Sequence, residues 1–490
     1  MKNIKKNILK SITGALIVAA IMPACSKVLD KKPITQVVMP NDSSTISASD
    51  AENVIAGCYT NYRGYDFGLE VNVLDRITNG DAISDNCYAG GDNSDNITLD
   101  LFTANSLNGN VARDWKDLYG IIGRANIAID QVQKCVDPAL TAVRKNQILG
   151  EARFMRAFCY FDLVRLYGNV PLLLKPADLT SAQTLLNSTI VPQVPADSVY
   201  GAILNDLWFA KNTVRPAASL PTKFLVSTGA VNATLAKVYA SRATPNWDSV
   251  LYYCNATIPD YSMVTNYTFL WDNNHKNNSE AIWELNYEGY SVIGNWIPSQ
   301  FLGADWKKFN TPTNDLVNTF RTEGDSIRLH SSISFLNMTG HWTDKYWNVA
   351  SYPFLAKYND PVNGTNDFYV IRLPDILLLK AEALVEKSDL PGAMALVNQV
   401  RARVSLGTKA ATTADDARTA IAVERRLELA FEGHRWYDLL RTGKALTTMN
   451  AQKDGNGNNL NYGVTPNRLL LPIPQAQIDL NPLLKQNTGY

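Results

Sequence analysis

Histidine is scarce in this sequence. There are four in 490 residues, at His275, His330, His341 and His434. None forms a His-Glu-x-x-His pair, and His330 and His341 sit eleven apart in a stretch without helical periodicity. That excludes a helix-borne zinc hydrolase site. Cysteine is sparse too. After Cys25 come Cys58, Cys87, Cys135, Cys159 and Cys254, widely spaced and with no Cys-x-x-Cys. An odd number at such spacing argues against a disulfide framework and against a structural zinc site. Also missing are a Gly-x-Ser-x-Gly nucleophile elbow, a Walker loop and a dinucleotide-binding glycine fingerprint. Net charge is absent: 46 basic residues balance 46 acidic ones, and removing Lys2, Lys5, Lys6 and Lys10 leaves 42 against 46. A weakly acidic body has no electrostatic reason to bind nucleic acid.

Long apolar runs are missing outside the N-terminus. There, a basic segment (MKNIKKNILK) precedes SITGALIVAAIMPA. Its apolar part is shorter than the roughly 20 residues that span a bilayer. Residues 1–24 therefore read as a secretory signal peptide. Cys25 follows Met22-Pro23-Ala24, similar to a bacterial lipobox, in which the cysteine is acylated and becomes the first mature residue. Ala24 fits that pattern, Met22 is tolerated and Pro23 departs from it. The expectation is a lipid anchor at Cys25, followed by a polar tether over 25–50 rich in Lys, Pro, Ser and Asp.

The body, 51–490, reads as one large helical domain. Trp115, Leu118, Ile122, Ala125, Ile129, Val132 and Val136 step by three and four, one stripe of a helix. Ile148, Ala152, Met155, Cys159, Leu163 and Leu166 form another, and Phe154, Phe158 and Phe161 load a second face. Gly168 and Pro171 end that helix. Further helices are expected near 198–213 and 224–242. RLPDILLLKAEALVEK and PGAMALVNQVRARV form a helix pair joined by three residues, reminiscent of degenerate tetratricopeptide units. Two segments differ. Residues 61–110 are rich in Asn, Asp and Gly, and residues 258–370 in Asn, Gly, Tyr and Trp, with six of the ten tryptophans. Both read as long loops with short strands, and loops of that length are often functional. Trp283, in the alternating stretch WELNY, reads as core.

Two stretches invite chemistry. DGNGNN (Asp454–Asn459) resembles a calcium loop, but the glycine and glutamate positions of an EF-hand fall on Asn459 and Thr465, so it reads as a turn. VERRLELAFEGHRWYDLLRTGK (Val423–Lys444) holds the residue types of an active site. Yet Val423, Leu427, Ala430, Phe431 and His434 share one helical face, and Trp436, Leu439 and Leu440 continue it. We read this as a packed helix, with Gly433 admitting a neighbour closely.

That last segment, ERRLELAFEGHRWYDLLRTG, resembles the C-terminal signature of the SusD/RagB family of outer-membrane lipoproteins. CSKVLDKKP, GEARFMRAFCYFDLVRLYGNVPLLL, RLPDILLLKAEAL and LLPIPQAQIDLNPLLKQNTGY resemble other family segments in the same order. The resemblance implies a mainly α fold, an α-α superhelix of tetratricopeptide-like pairs with irregular insertions and minor β structure. It implies no enzymatic activity and no cofactor. It also implies a SusC-type TonB-dependent transporter as partner, and an oligosaccharide or peptide ligand held at the cell surface. The alternatives are a transporter lid without a ligand of its own, or a secreted glycoside hydrolase whose paired carboxylates are not visible in sequence.

The family signatures mark the scaffold, so the ligand site rests on chemistry. Aromatic faces stack on sugar rings while Asp and Asn bond hydroxyls. The candidates are Tyr65, Asp81, Asp85, Tyr88 and Asn93 in the first irregular segment, and Tyr290, Trp296 and Trp306 in the second.

Overall fold

The computed structural model describes residues 46–64, 70–301, 307–344 and 346–490. Cys25, Tyr65 and Trp306 lie outside them, as do the signal segment and most of the tether. Helix α1 (Ala48–Arg63) opens on a capping box between Ser47 and Asp50. Helix α2 (Gly109–Lys134) is capped by Asn108, whose side chain accepts from the Val111 N–H. Trp115, Leu118, Ile122, Ala125, Ile129 and Val132 are buried along one stripe of it. Val136, the expected next member, is 74% exposed because the helix stops at Lys134 and Cys135 turns extended.

Helix α3 (Ala142–Tyr167) is buried on both faces, and it carries Glu151, Arg156 and Asp162 into the interior. Arg156 meets Asp206 of α4 (Ala196–Lys211) through two hydrogen bonds of 2.7 and 2.8 Å. Helices α5 (Thr228–Ser241), α6 (Trp247–Thr257), α7 (Leu373–Glu386), α8 (Leu390–Arg403) and α9 (Ala414–Glu428) follow. From α1 to α3 and on to α9, each scaffold helix packs on the next in order. This is the expected superhelix of helix pairs. Each fully buried Leu, Ile or Phe along it contributes about 1.5–3 kcal/mol of transfer free energy.

The stretch after Val423 is not one helix. Helix α9 ends at Glu428, Phe431 and Gly433 take φ of 66° and 77°, and α10 (Arg435–Arg441) starts afresh. The reason lies far away in sequence. A Cβ on Gly80 would lie 2.3 Å from the carbonyl carbon and oxygen of Gly433, so two backbones touch there and the chain must bend.

Gly80 belongs to a second departure from expectation. Residues 61–110 are not a long loop. Three consecutive helical segments, Glu70–Leu74, Asp75–Ile77 and Thr78–Ala82, run through the interior, and a further helix spans Ser94–Asp100. The second irregular segment does carry short strands, with short helices at Asn314–Thr322 and Ser326–Ser332 among them.

The strands pair antiparallel, two by two. β1 (Cys87–Tyr88) pairs with β3 (Thr311–Pro312), and β4 (Ile333–Leu336) with β5 (Tyr352–Leu355). β2 (Ala281–Leu285) pairs with β6 (Phe368–Arg372) through bulged registers. Trp283 on β2 is fully buried against Tyr62, Phe154 and Phe158, joining strand to scaffold.

Candidate functional site

Glu424, Glu428 and Glu432 of the charged C-terminal stretch are closed to solvent. Arg372 donates to Glu432 at 2.7 Å through both Nε and Nη2, and to Glu280 at 2.9 Å. It also touches Glu428, as does Arg403. Arg328 donates to Glu424 at 2.7 Å and Glu428 at 2.9 Å, and Lys357 to Glu432 at 2.7 Å. All these groups are buried. Burial opposes the charge on Glu428, but Arg403, Arg372 and Arg328 outweigh it and hold the carboxyl well below the usual range. His434 lies against Lys237, and burial, then that ammonium, push its pKa down to about 3. A neutral imidazole held this way is a packing element.

Two of the candidate ligand groups belong to this interior. Asp81 accepts from the Gly433 N–H at 2.6 Å and from the Asn86 side chain at 2.8 Å. Burial raises its pKa to about 6. Asp85 meets Arg435 bidentately at 2.7 and 2.8 Å, and burial of its charge is outweighed by Arg426 and Arg435, which hold it at about 2. Neither has surface to offer a ligand, because each is only 0–2% exposed. Asn93 caps the Ser94–Asp100 helix, accepting from the N–H groups of Asp95 and Asn96. Its side-chain oxygen is committed to the fold.

Tyr290 and Trp296 are different. They come together on the surface. The chain leaves β2, turns at Gly289 and forms a single bridge between Gly289 and Ile293. A second loop braces it: the Tyr290 N–H donates to Asn363 at 2.9 Å and the Asn295 N–H to Gly364 at 2.7 Å. Gly364 is required there, since a Cβ on it would come within 2.5 Å of the Tyr290 ring. The two aromatic rings sit 4.5 Å apart at 39°, and Trp296 is 42% exposed. Val292 extends the apolar surface, and Glu288, facing Arg63 at 3.6 Å, supplies a polar edge.

Beside this platform lies a cleft. The helix Ile297–Phe301, directly after Trp296, packs on β5. β5 carries Tyr352, whose hydroxyl bonds Asp344 at 2.7 Å and the Tyr88 hydroxyl at 3.0 Å. Above them Lys308 pairs with Asp344 and points its ammonium at the rings of Tyr88, Trp342 and Tyr352, 5.4, 5.2 and 5.0 Å away. Lys308, Trp342, His341, Thr343, Gly91 and Gly340 line an open cleft of about 470 Å³, within the size range of ligand pockets. Tyr88 supports this cleft from beneath, with 7% of its surface exposed. Lys308, Asp344 and Tyr352 escaped the sequence reading. The candidate Tyr88 and the tryptophan density around Trp342 pointed to the region.

What this surface offers is stacking area with hydrogen-bonding edges. Among the described residues, no group of three or more His, Cys, Asp or Glu is placed to hold a metal ion. None of their helices is long and apolar enough to cross a membrane.

Two family models match the chain. The SusD family matches residues 300–490, and a family described as starch-binding, associating with outer membrane, matches residues 28–240. A SusD-like protein of Formosa agariphila is 27% identical over 431 residues, covering 78% of this chain and 80% of its own. A SusD superfamily protein of Bacteroides vulgatus has the same fold, with a TM-score of 0.77 at 22% identity over 91% of this chain and 99% of its own. A laminarin-binding SusD-like protein superposes with a TM-score of 0.73 at 26% identity, over 91% of this chain and 100% of its own. With the helical scaffold and the ordered C-terminal ion network, these matches make the chain a member of the SusD/RagB family of carbohydrate-binding, outer-membrane-associated proteins.

Proposed function

We propose that this protein captures a glycan at the cell surface without cleaving it and passes it to a SusC-type TonB-dependent transporter. Acylated Cys25 anchors it in the outer membrane. The observation that carries the binding role is the exposed Trp296, braced on Tyr290 by two loops and set beside the Lys308–Trp342 cleft. A sugar ring stacks its apolar face on such an indole while its hydroxyls meet the polar edges. The non-catalytic role is supported by how the carboxylates are used. Asp81, Asp85, Glu424, Glu428 and Glu432 are all committed to arginine, lysine or backbone partners. Lys357 and the arginines keep Glu428 and Glu432 charged, where a glycosidase acid must hold a proton.

The first ligand to test is a laminarin oligosaccharide, because one similar solved structure binds laminarin. Isothermal titration should show binding that Trp296→Ala weakens, with the oligosaccharide recovered intact. New reducing ends released by the pure protein overturn the non-catalytic role. Undiminished affinity in Trp296→Ala removes the platform from the site.

A further inference from the structure

Behind the β2–β6 pair lies a small polar cavity of about 10 Å³, bordered by Trp271, Glu284, Lys357, Tyr358, Asn366 and Asp367. Two polar atoms in its wall are buried and have no hydrogen-bonding partner in the protein, Trp271 Nε1 and Tyr358 Oη, while the Glu284 carboxyl shares a hydrogen bond with Asp367. Trp271 and Tyr358 are 4% and 1% exposed. Buried polar groups in folded proteins are almost always partnered. Two exceptions around one hole point to a single missing partner rather than two separate defects.

The hole has the size and chemistry for that partner. An internal water needs roughly 10–15 Å³ on this measure and two to four polar neighbours. We propose that this cavity is a binding site for one ordered water, which accepts from the Trp271 indole N–H and bonds the Tyr358 hydroxyl. A metal cation does not fit, because the ammonium groups of Lys276 and Lys357 border the site. Glu284, driven above its ordinary range by burial and then by neighbouring Asp367, brings no negative charge to hold one.

The position gives the water a task. One wall belongs to the interior ion network: Lys357 donates to Glu432 and the Glu428 carbonyl, and its ammonium sits 4.4 Å from the centre of the Trp271 ring. The other wall carries the platform loops. Asp367 accepts from the Tyr287 N–H, and Asn366 accepts from the side chain of Asn295, next to Trp296. Asn366 also donates to the Trp271 carbonyl. The water thus joins the scaffold to the loops that present Tyr290 and Trp296.

A crystal structure resolving internal waters should show one solvent peak within hydrogen-bonding distance of both atoms. No peak overturns the site, and an anomalous signal there after bromide exchange overturns water as its occupant. The variant Tyr358→Phe gives a second, opposed test. Removing a hydroxyl that has no partner raises the melting temperature, whereas removing one bonded to a bridging water lowers it. We expect a fall of several degrees, and an unchanged or raised melting temperature overturns the proposal. Neither measurement depends on what the platform binds.

Discussion

Arg372 holds Glu432 with two parallel hydrogen bonds of 2.7 Å, and neither side chain has any exposure to solvent. One residue ends strand β6 and the other follows helix α9, so the pair ties the irregular insertion to the helical scaffold. Arg372 also serves Glu280 and Glu428. Arg372→Ala would leave three buried carboxylates short of a cation, a loss that typically costs about 3–5 kcal/mol. We expect a large drop in melting temperature, with Glu432→Ala close behind. Thermal denaturation measures both.

Acid should unfold the protein in two stages. Glu428 and Glu432 have pKa values lowered in the fold, because the arginines and Lys357 outweigh the burial that opposes their charge. The unfolded chain takes up their protons near the ordinary value of about 4.3, so this stabilisation is complete above that pH and fades as pH falls through it. His434 acts earlier. Its unfolded form charges near pH 6.5, while the folded form stays neutral down to about 3. Its contribution is therefore lost progressively as pH falls below 6.5. Asp81 and Asp100, raised by burial to about 6 and about 8, act with the opposite sign and gain stability as pH falls. Subtracting the His434→Gln melting curve from the wild-type curve isolates the histidine. The difference should shrink between pH 6.5 and 4 and stay flat between 7 and 8.

The contact between Gly80 and Gly433 admits no side chain. Gly80→Ala forces a Cβ against backbone that cannot swing aside, and such overpacking costs about 1–3 kcal/mol. Gly433→Ala adds the penalty of φ 77°, about 1–2 kcal/mol for a left-handed residue. Both variants should melt well below the wild type in a thermal scan, and Gly433→Ala should melt lower.

This contact also shows where the sequence stopped being legible. The spacing of Ile148 to Leu166 sufficed to place α3, because its partners recur every three or four residues along the chain itself. The break at Phe431–Gly433 is set by Gly80, at the other end of the chain, and no local pattern carries it. Asp81 and Asp85 misled for the same reason. In a segment full of Asn, Asp and Gly they resemble ligand groups, but their partners Gly433 and Arg435 arrive from the C-terminus. Tyr290 and Trp296 are six residues apart in one loop, so their proximity was accessible. The cleft behind Tyr88 needed Lys308, Asp344 and Tyr352 from three separate elements.

The proposed membrane attachment rests on Cys25. If it carries the anchor, Cys25→Ser should move the protein from the outer-membrane fraction to the soluble fraction without changing its melting temperature. Retention of the variant in the membrane fraction would show that something other than acylation holds it there.

Substitutions at Trp296 and Trp283 should separate the proposed binding from folding. Both are tryptophans of the same insertion, but Trp283 is fully buried and Trp296 is 42% exposed. Trp283→Ala empties a core site packed by Tyr62, Phe154 and Phe158, at a cost of about 3–5 kcal/mol, and should destroy the fold. Trp296→Ala leaves the core intact. Losing an aromatic anchor costs a binding site about 2 kcal/mol or more, roughly thirtyfold in affinity, with the melting temperature within a degree or two of wild type. Lys308→Met tests the neighbouring cleft in the same titration. If the glycan spans both surfaces, the two substitutions weaken binding additively. If only Trp296→Ala has an effect, the ligand ends at the platform.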